Sequence, residues 1–158
     1  MSFLISASYQ PDLMRRINHS TAGRAILESF GDASADKKTF QQNWEIQLFA
    51  VALGFAKQKS EVLKDVNTGG GIDFDTFKAS GVWPGFINSI SLVEKGNPDV
   101  LCSDEVRDEE RIRLFEQYAE GGFSQIAADG LQEMDLISFA DYVIKLAEKA
   151  PELPPHNG

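Results

Sequence analysis

Apolar residues recur at helical spacing along nearly the whole of this chain. The strongest periodicity follows a T-x-x-Q capping box at Thr39 and Gln42. Its apolar stripe consists of Phe40, Trp44, Leu48, Val51, Ala52 and Phe55. Ala50 and Leu53 widen this stripe, as is typical of a helix at the centre of a core. No segment alternates convincingly between apolar and polar positions, so the pattern predicts a mainly helical protein.

The N-terminal part of the chain predicts one or two helices. Asp12 is a suitable start for a helix that includes Ile17 and continues to a stop at Gly31. Ser20 or Thr21 could instead cap a second helix after an interruption. Both alternatives stay open at this point.

The middle of the chain is divided by glycine-rich breaks. Residues 65–73 read as a loop, and FDTFKA at 74–79 predicts a short helix. FINSISLVEKG at 86–96 predicts a longer helix that Gly96 ends as a C-terminal cap. Asn97 and Pro98 then suit the cap and first turn of a brief further segment.

Two more helices are predicted towards the C-terminus. Ser103 is the expected N-cap of a helix that runs to Ala119 and is ended by Gly121-Gly122. A short helix covers 123–130. The last helix runs from Asp135 to about Lys149, with an expected inward face of Leu136, Ala140, Val143, Ile144 and Ala147.

These elements predict an all-α fold, a compact bundle of about six to seven helices with little or no β-structure. The length of 158 residues fits one domain with one core. We expect residues 1–150 to form that domain and 151–158 to be a disordered tail.

Charge and composition narrow the possible partners. The formal net charge is −9, and it is uneven, because residues 65–158 carry seven Lys and Arg against eighteen Asp and Glu. Such a surface repels nucleic acid phosphates and could face a basic partner, although solvation alone explains many acidic surfaces. No apolar run reaches membrane-spanning length, and Cys102 is the single cysteine. We expect a soluble, cytoplasmic protein without an internal disulfide.

The stretch DVNTGGGIDFDTF at 65–77 partly matches a calcium-binding EF-hand loop. Asp65, Asn67 and Asp73 fall at ligand positions 1, 3 and 9. Thr76 stands where that loop needs a bidentate glutamate, which leaves too few carboxylates for a strong site. We therefore interpret the stretch as a connector in which Asp73 caps a short helix, with cation binding as an alternative.

An acidic run follows Ser103. Glu105 shares a helix face with Asp108 or Glu109, and such pairs can hold Mg²⁺. Arginines within helical reach favour an exposed, ion-paired surface instead. Glu105, Asp108 and Glu109 are therefore candidates for an interaction surface.

Basic and nucleophilic candidates are few. Arg15, Arg16 and Arg24 form a possible DNA-contact patch, although the sequence favours ordinary surface charge as their explanation. His19 is the one histidine within the predicted fold, and a nucleophile–histidine couple would have to use it. The sequence has no G-x-S-x-G motif to supply that nucleophile.

Three stretches occur in an order and pattern that point to a known family. They are FQQNWEIQLFAVALGFAKQKSEVL at 40–63, FINSISLVEKGNPDVL at 86–101 and ERIRLFEQYAEGGFSQI at 110–126. Together they resemble the small proteins called Dnd system-associated protein 4, over residues 40–126. Those proteins are encoded beside DNA phosphorothioation systems, which mark host DNA with backbone sulphur and restrict unmarked DNA. The shared motifs are packing and capping motifs, so the resemblance implies a place in antiphage defence and supplies no active site.

Three hypotheses follow for the function. The first is a non-catalytic accessory protein that contacts other defence-system proteins or DNA-processing enzymes and forms a homo-oligomer, with no cofactor. The second is a DNA-binding protein that uses Arg15, Arg16 and Arg24. The third is a divalent-metal-binding protein that uses Asp65, Asn67 and Asp73.

Overall fold

A computed structural model describes residues 16–32, 39–66, 71–102 and 104–149. Within these ranges the chain is mostly α-helical, which confirms the predicted fold class. The helices are α1 (Thr21–Gly31), α2 (Asn43–Ala56), α3 (Phe74–Ala79), α4 (Trp83–Lys95), α5 (Glu105–Asp129) and α6 (Leu136–Glu148). Two 3₁₀ turns, Pro98–Leu101 and Leu131–Glu133, precede α5 and α6. The predicted helix start at Asp12 and the tail at 151–158 lie outside the described residues.

A small antiparallel sheet joins two distant parts of the chain. Its strands are β1 (Arg16–Ile17) and β2 (Ile72–Asp73), with Arg16 paired to Asp73 and Ile17 to Ile72. Ile17 was expected in a helix and residues 72–73 in a loop, so both expectations were wrong. Two paired residues are too few to show a period of two in a sequence.

Side-chain caps begin or end several helices where the sequence predicts them. Ser20 caps α1, since its hydroxyl accepts a hydrogen bond from the amide of Gly23. This selects the alternative in which a new helix starts there. Gly96 ends α4 with a left-handed φ of 65°, and Asp135 caps α6.

Two predicted caps are displaced along the chain. Helix α2 begins after Gln42 instead of Thr39, and the Glu45 carboxylate closes its first turn by accepting from the Gln42 amide at 3.0 Å. Asp104, not Ser103, caps α5, because its carboxylate accepts from the Arg107 amide at 2.9 Å.

The two central helices, α2 and α5, pack backbone against backbone. Helix α5 passes through Gly121 and Gly122 and ends at Gly130, so the predicted stop was wrong. A β-carbon added at Gly122 would lie 1.7 Å from the carbonyl oxygen of Ala50. At Gly54 it would lie 2.1 Å from the carbonyl oxygen of Tyr118, so this glycine also permits close helix approach.

An aromatic cluster attaches α6 to the rest of the bundle. It consists of Phe30, Phe40, Phe49 and Phe139, with ring centroids between 5.3 and 6.3 Å apart. Phe30–Phe40, Phe30–Phe139 and Phe40–Phe139 meet edge to face, a geometry that is favourable beyond the area that it buries. Among the described residues of α6, Phe139 is the one that is buried.

Candidate functional site

Helix α6 presents an apolar face to solvent. Its inward side chains are Phe139, Tyr142 and Leu146, which share a face at helical spacing. Ile137 is 84% exposed and Ile144 is 57% exposed. The remaining members of the exposed face are Leu136, Ala140, Val143 and Ala147. The predicted inward face of α6 was therefore wrong, because the opposite face, which carries the aromatic side chains, packs on the phenylalanine cluster.

An apolar groove of about 660 Å³ lies beside the C-terminal half of α6. Its apolar walls include Phe55, Val93 and Leu146, and its rim carries Lys57 and Lys149. The groove thus brings together α2, α4, α5 and α6. A second cavity of about 540 Å³ lies at the other end of α6, lined by residues from the 3₁₀ turn and the start of the helix.

A hydrogen-bonded tyrosine fixes one wall of the groove. The hydroxyl of Tyr118 donates to a carboxylate oxygen of Glu94 at 2.7 Å, and Phe55 packs edge-on against the Tyr118 ring at 5.5 Å. Burial and then the Glu94 carboxylate raise the pKa of Tyr118 to about 12, so the phenol stays protonated. The hydrogen bond and the ring contact therefore join α2, α4 and α5 at this wall of the groove.

A buried polar junction joins the start of α1 to α5. The amide of Asn18 donates to Glu116, and the amide and hydroxyl of Ser20 donate to Glu120 at 2.9 and 2.6 Å. Glu120 also lies near the positive end of the α1 dipole. These contacts satisfy donors of the β1–α1 connection, which makes both carboxylates structural. Neither glutamate was among the residues predicted from the sequence to be functional. Their signal was two acids four residues apart, placed between apolar members of the α5 stripe.

His19 lies in this junction and is fully buried. Neither ring nitrogen has a hydrogen-bond partner among the described residues. Burial, and to a smaller extent the charge of Arg24, lowers the pKa of His19. A group that protonates more readily when unfolded favours unfolding as the pH falls.

We expect acidification to destabilise the protein through His19. The stability that depends on a neutral His19 is fully present above the unfolded pKa near 6.5. Below that pH the free energy of unfolding falls by up to about 1.4 kcal/mol per pH unit. Urea unfolding at pH 7.5 and 5.5 measures the loss, and His19→Leu should reduce it. Because the ring nitrogens are unpartnered, the substitution should cost little at pH 7.5. An equal loss in both proteins would contradict this role for His19.

One predicted DNA-contact residue, Arg16, meets one predicted cation ligand, Asp73, at the small sheet. Arg16 pairs with Asp73 at 3.2 Å, and Arg24 pairs with Glu28 at 2.8 Å. The two guanidiniums of this predicted patch that the structure describes, those of Arg16 and Arg24, therefore each have a carboxylate neighbour. Arg15 lies outside the described residues. DNA binding by this patch stays a prediction.

The EF-hand-like stretch is described only in part. The main-chain carbonyl of Asp65 accepts from the amide and hydroxyl of Thr21, at 3.1 and 3.2 Å. Asn67 lies outside the described residues. Within the described ranges, no group of three or more His, Cys, Asp or Glu residues is arranged to hold a metal ion. Cation binding at Asp65, Asn67 and Asp73 also stays a prediction.

The acidic run at the start of α5 includes a buried ion pair. Asp108 pairs with Arg111, and both side chains are almost wholly buried, at 13% and 8% exposure. The Asp108 carboxylate therefore supports the fold. Glu109 is partly buried, and Glu105 is the first residue of α5. An interaction surface formed by Glu105, Asp108 and Glu109 stays a prediction.

Comparison with models of protein families assigns the chain to one of these families. A family model described as DNA sulphur modification system-associated protein 4 matches residues 16–146. The chain belongs to this family. Its membership confirms the resemblance seen in the sequence, extends it beyond residues 40–126 at both ends, and indicates association with a DNA sulphur modification system.

The remaining comparisons give no relative of known structure or role. Neither the curated proteins nor the solved structures that were searched contain a match. Among the described residues of this family member, no helix is both long and apolar enough to cross a membrane.

Proposed function

We propose that this protein is a non-catalytic accessory component of a DNA sulphur modification system, acting by binding another protein of that system. The observation that carries the proposal is the groove beside α6. Apolar walls with a charged rim are the usual composition of a protein-binding surface. Family membership supplies the system in which the partner is sought.

Exposure and charge support a protein partner for this groove. Val93 is 70% exposed on its α4 wall, which leaves an apolar side chain available for contact. Lys57 and Lys149 on the rim, together with Glu94, offer charges of both signs. Complementary charge at the rim selects a partner and speeds association, whereas the apolar centre supplies most of the affinity.

Substitution of Val93 by glutamate tests the proposal. A charge in the desolvated part of an interface should reduce recovery of the partner at least tenfold, which is about 1.4 kcal/mol. The measurement is quantitative co-purification of the tagged protein with the co-expressed proteins of its sulphur modification system.

Val62→Glu is the matched control. Val62 is 68% exposed, so it has the same chemistry and nearly the same exposure, and it does not line the groove. The control should leave recovery unchanged. If neither variant reduced recovery of the partner, the groove would not be its binding site. An equal reduction in both variants would indicate a non-specific charge effect.

A further inference from the structure

The exposed face of α6 has the spacing of a helix-pairing seam. Ile137, Ala140, Ile144 and Ala147 are separated by three, four and three residues, which is the a/d repeat of a coiled coil. All four side chains are exposed in the single chain. On the opposite side of the helix, Phe139 attaches α6 to its own bundle. The seam therefore points away from the core.

We propose that α6 pairs in antiparallel orientation with α6 of a second copy of this chain. If the two helices cross at the level of residue 142, Ile137 lies opposite Ala147 of the second copy, and Ala140 lies opposite Ile144. Each of the four layers then contains one isoleucine and one alanine. Parallel pairing would instead alternate layers of two isoleucines with layers of two alanines, which cannot share one helix separation.

The match between layers is what favours a second copy over an unrelated helix. A two-fold interface uses the same surface on both subunits, so that surface must be complementary to itself. The Ile/Ala seam meets this condition, because reversal of its order interchanges the large and small positions. Alanine in every layer also allows the helices to approach closely.

Charge and size set the expected strength of the dimer. The Asp141 carboxylate is paired with Lys145 at 2.7 Å on the same helix, which limits local repulsion beside the seam. Each whole chain nevertheless carries −9, so the dimer should tighten as salt screens this charge. The contact between two helices about 20 Å long lies at the small end of specific interfaces, and we expect a micromolar dissociation constant.

Sedimentation equilibrium on two single variants and their mixture tests the proposal. Ala140→Ile places two isoleucines in the central layers, and Ile144→Ala leaves two alanines there. Each variant alone should dimerise at least tenfold more weakly than the natural protein. An equimolar mixture should regain the natural affinity, because each central layer of the mixed dimer again contains one isoleucine and one alanine.

The control is Val106→Ala, at a residue 60% exposed near the start of α5, and it should leave the affinity unchanged. Circular dichroism checks that each variant is folded. A natural protein that stays monomeric at about 1 mM in high salt would overturn the proposal. Tighter association of the Ala140→Ile variant by itself would overturn the antiparallel arrangement, since parallel helices would gain one more layer of two isoleucines. A mixture no tighter than its components would overturn the assigned layers.

Discussion

Substitution of Gly122 by alanine is expected to lower the free energy of unfolding by about 3 kcal/mol or more. The added β-carbon would lie 1.7 Å from the carbonyl oxygen of Ala50 and 2.4 Å from its carbonyl carbon. Both atoms belong to the backbone of α2, so no side-chain rotation relieves the overlap. Helices α2 and α5 would have to separate along the centre of the core. Urea denaturation followed by circular dichroism measures the change.

Gly85→Ala is the matched control for this packing. Gly85 also lies within a helix, but a β-carbon there would meet nothing within 4 Å. Alanine favours helix more than glycine does, so this variant should be more stable by up to about 1 kcal/mol. If Gly122→Ala were likewise neutral or stabilising, the close contact between α2 and α5 would be wrong.

The helical fold could be predicted because its signals are local. Ser20, Gly96 and Asp135 cap helices through contacts with residues close to them in sequence, so a single chain shows them. Gly121-Gly122 was misinterpreted for the opposite reason. A glycine pair can end a helix or allow another helix to approach, and the choice depends on α2, which lies far away in the sequence.

The orientation of α6 was mispredicted because the helix has two apolar faces. The face that contains Ile144 has more aliphatic members, whereas the inward face contains Phe139, Tyr142 and Leu146. Three phenylalanines from other parts of the chain decide between them, by forming the cluster into which Phe139 packs. Periodicity finds both stripes but cannot rank them without those distant partners.

The groove beside α6 could not be predicted from the sequence. The groove is formed by side chains from four helices, such as Phe55, Val93 and Leu146, and only the fold brings them together. The sites predicted from the sequence were instead groups of charged residues. Of these, Arg16 and Asp73 proved to pair with each other, and Asp108 proved to pair with Arg111. Conspicuous charge is weak evidence of function when an ion-pair partner is available, either from a distant segment, as for Arg16, or from the same helix, as for Asp108.

Substitution of Arg111 by methionine should cost about 3 kcal/mol of unfolding free energy. Its guanidinium donates to the carbonyl oxygens of Val100 and Cys102 and pairs with Asp108. It thereby ties the 3₁₀ turn before α5 to the second turn of that helix. Methionine would keep much of the packing but leave a buried carboxylate without its counter-charge. Urea denaturation measures the loss.

Arg107→Met provides the comparison on the same helix. Arg107 pairs with the carboxylate of Glu110, three residues later on the helix, at 3.8 Å. Unlike Arg111 and Asp108, both of these side chains are more than one third exposed. Solvent screening should reduce its cost to about 0.5 kcal/mol or less. Adding Asp108→Leu to Arg111→Met should recover part of the stability, since no buried charge then remains unpaired. Equal costs for the two arginine variants, or a further loss in the double variant, would show that stability does not depend on the buried Arg111–Asp108 pair.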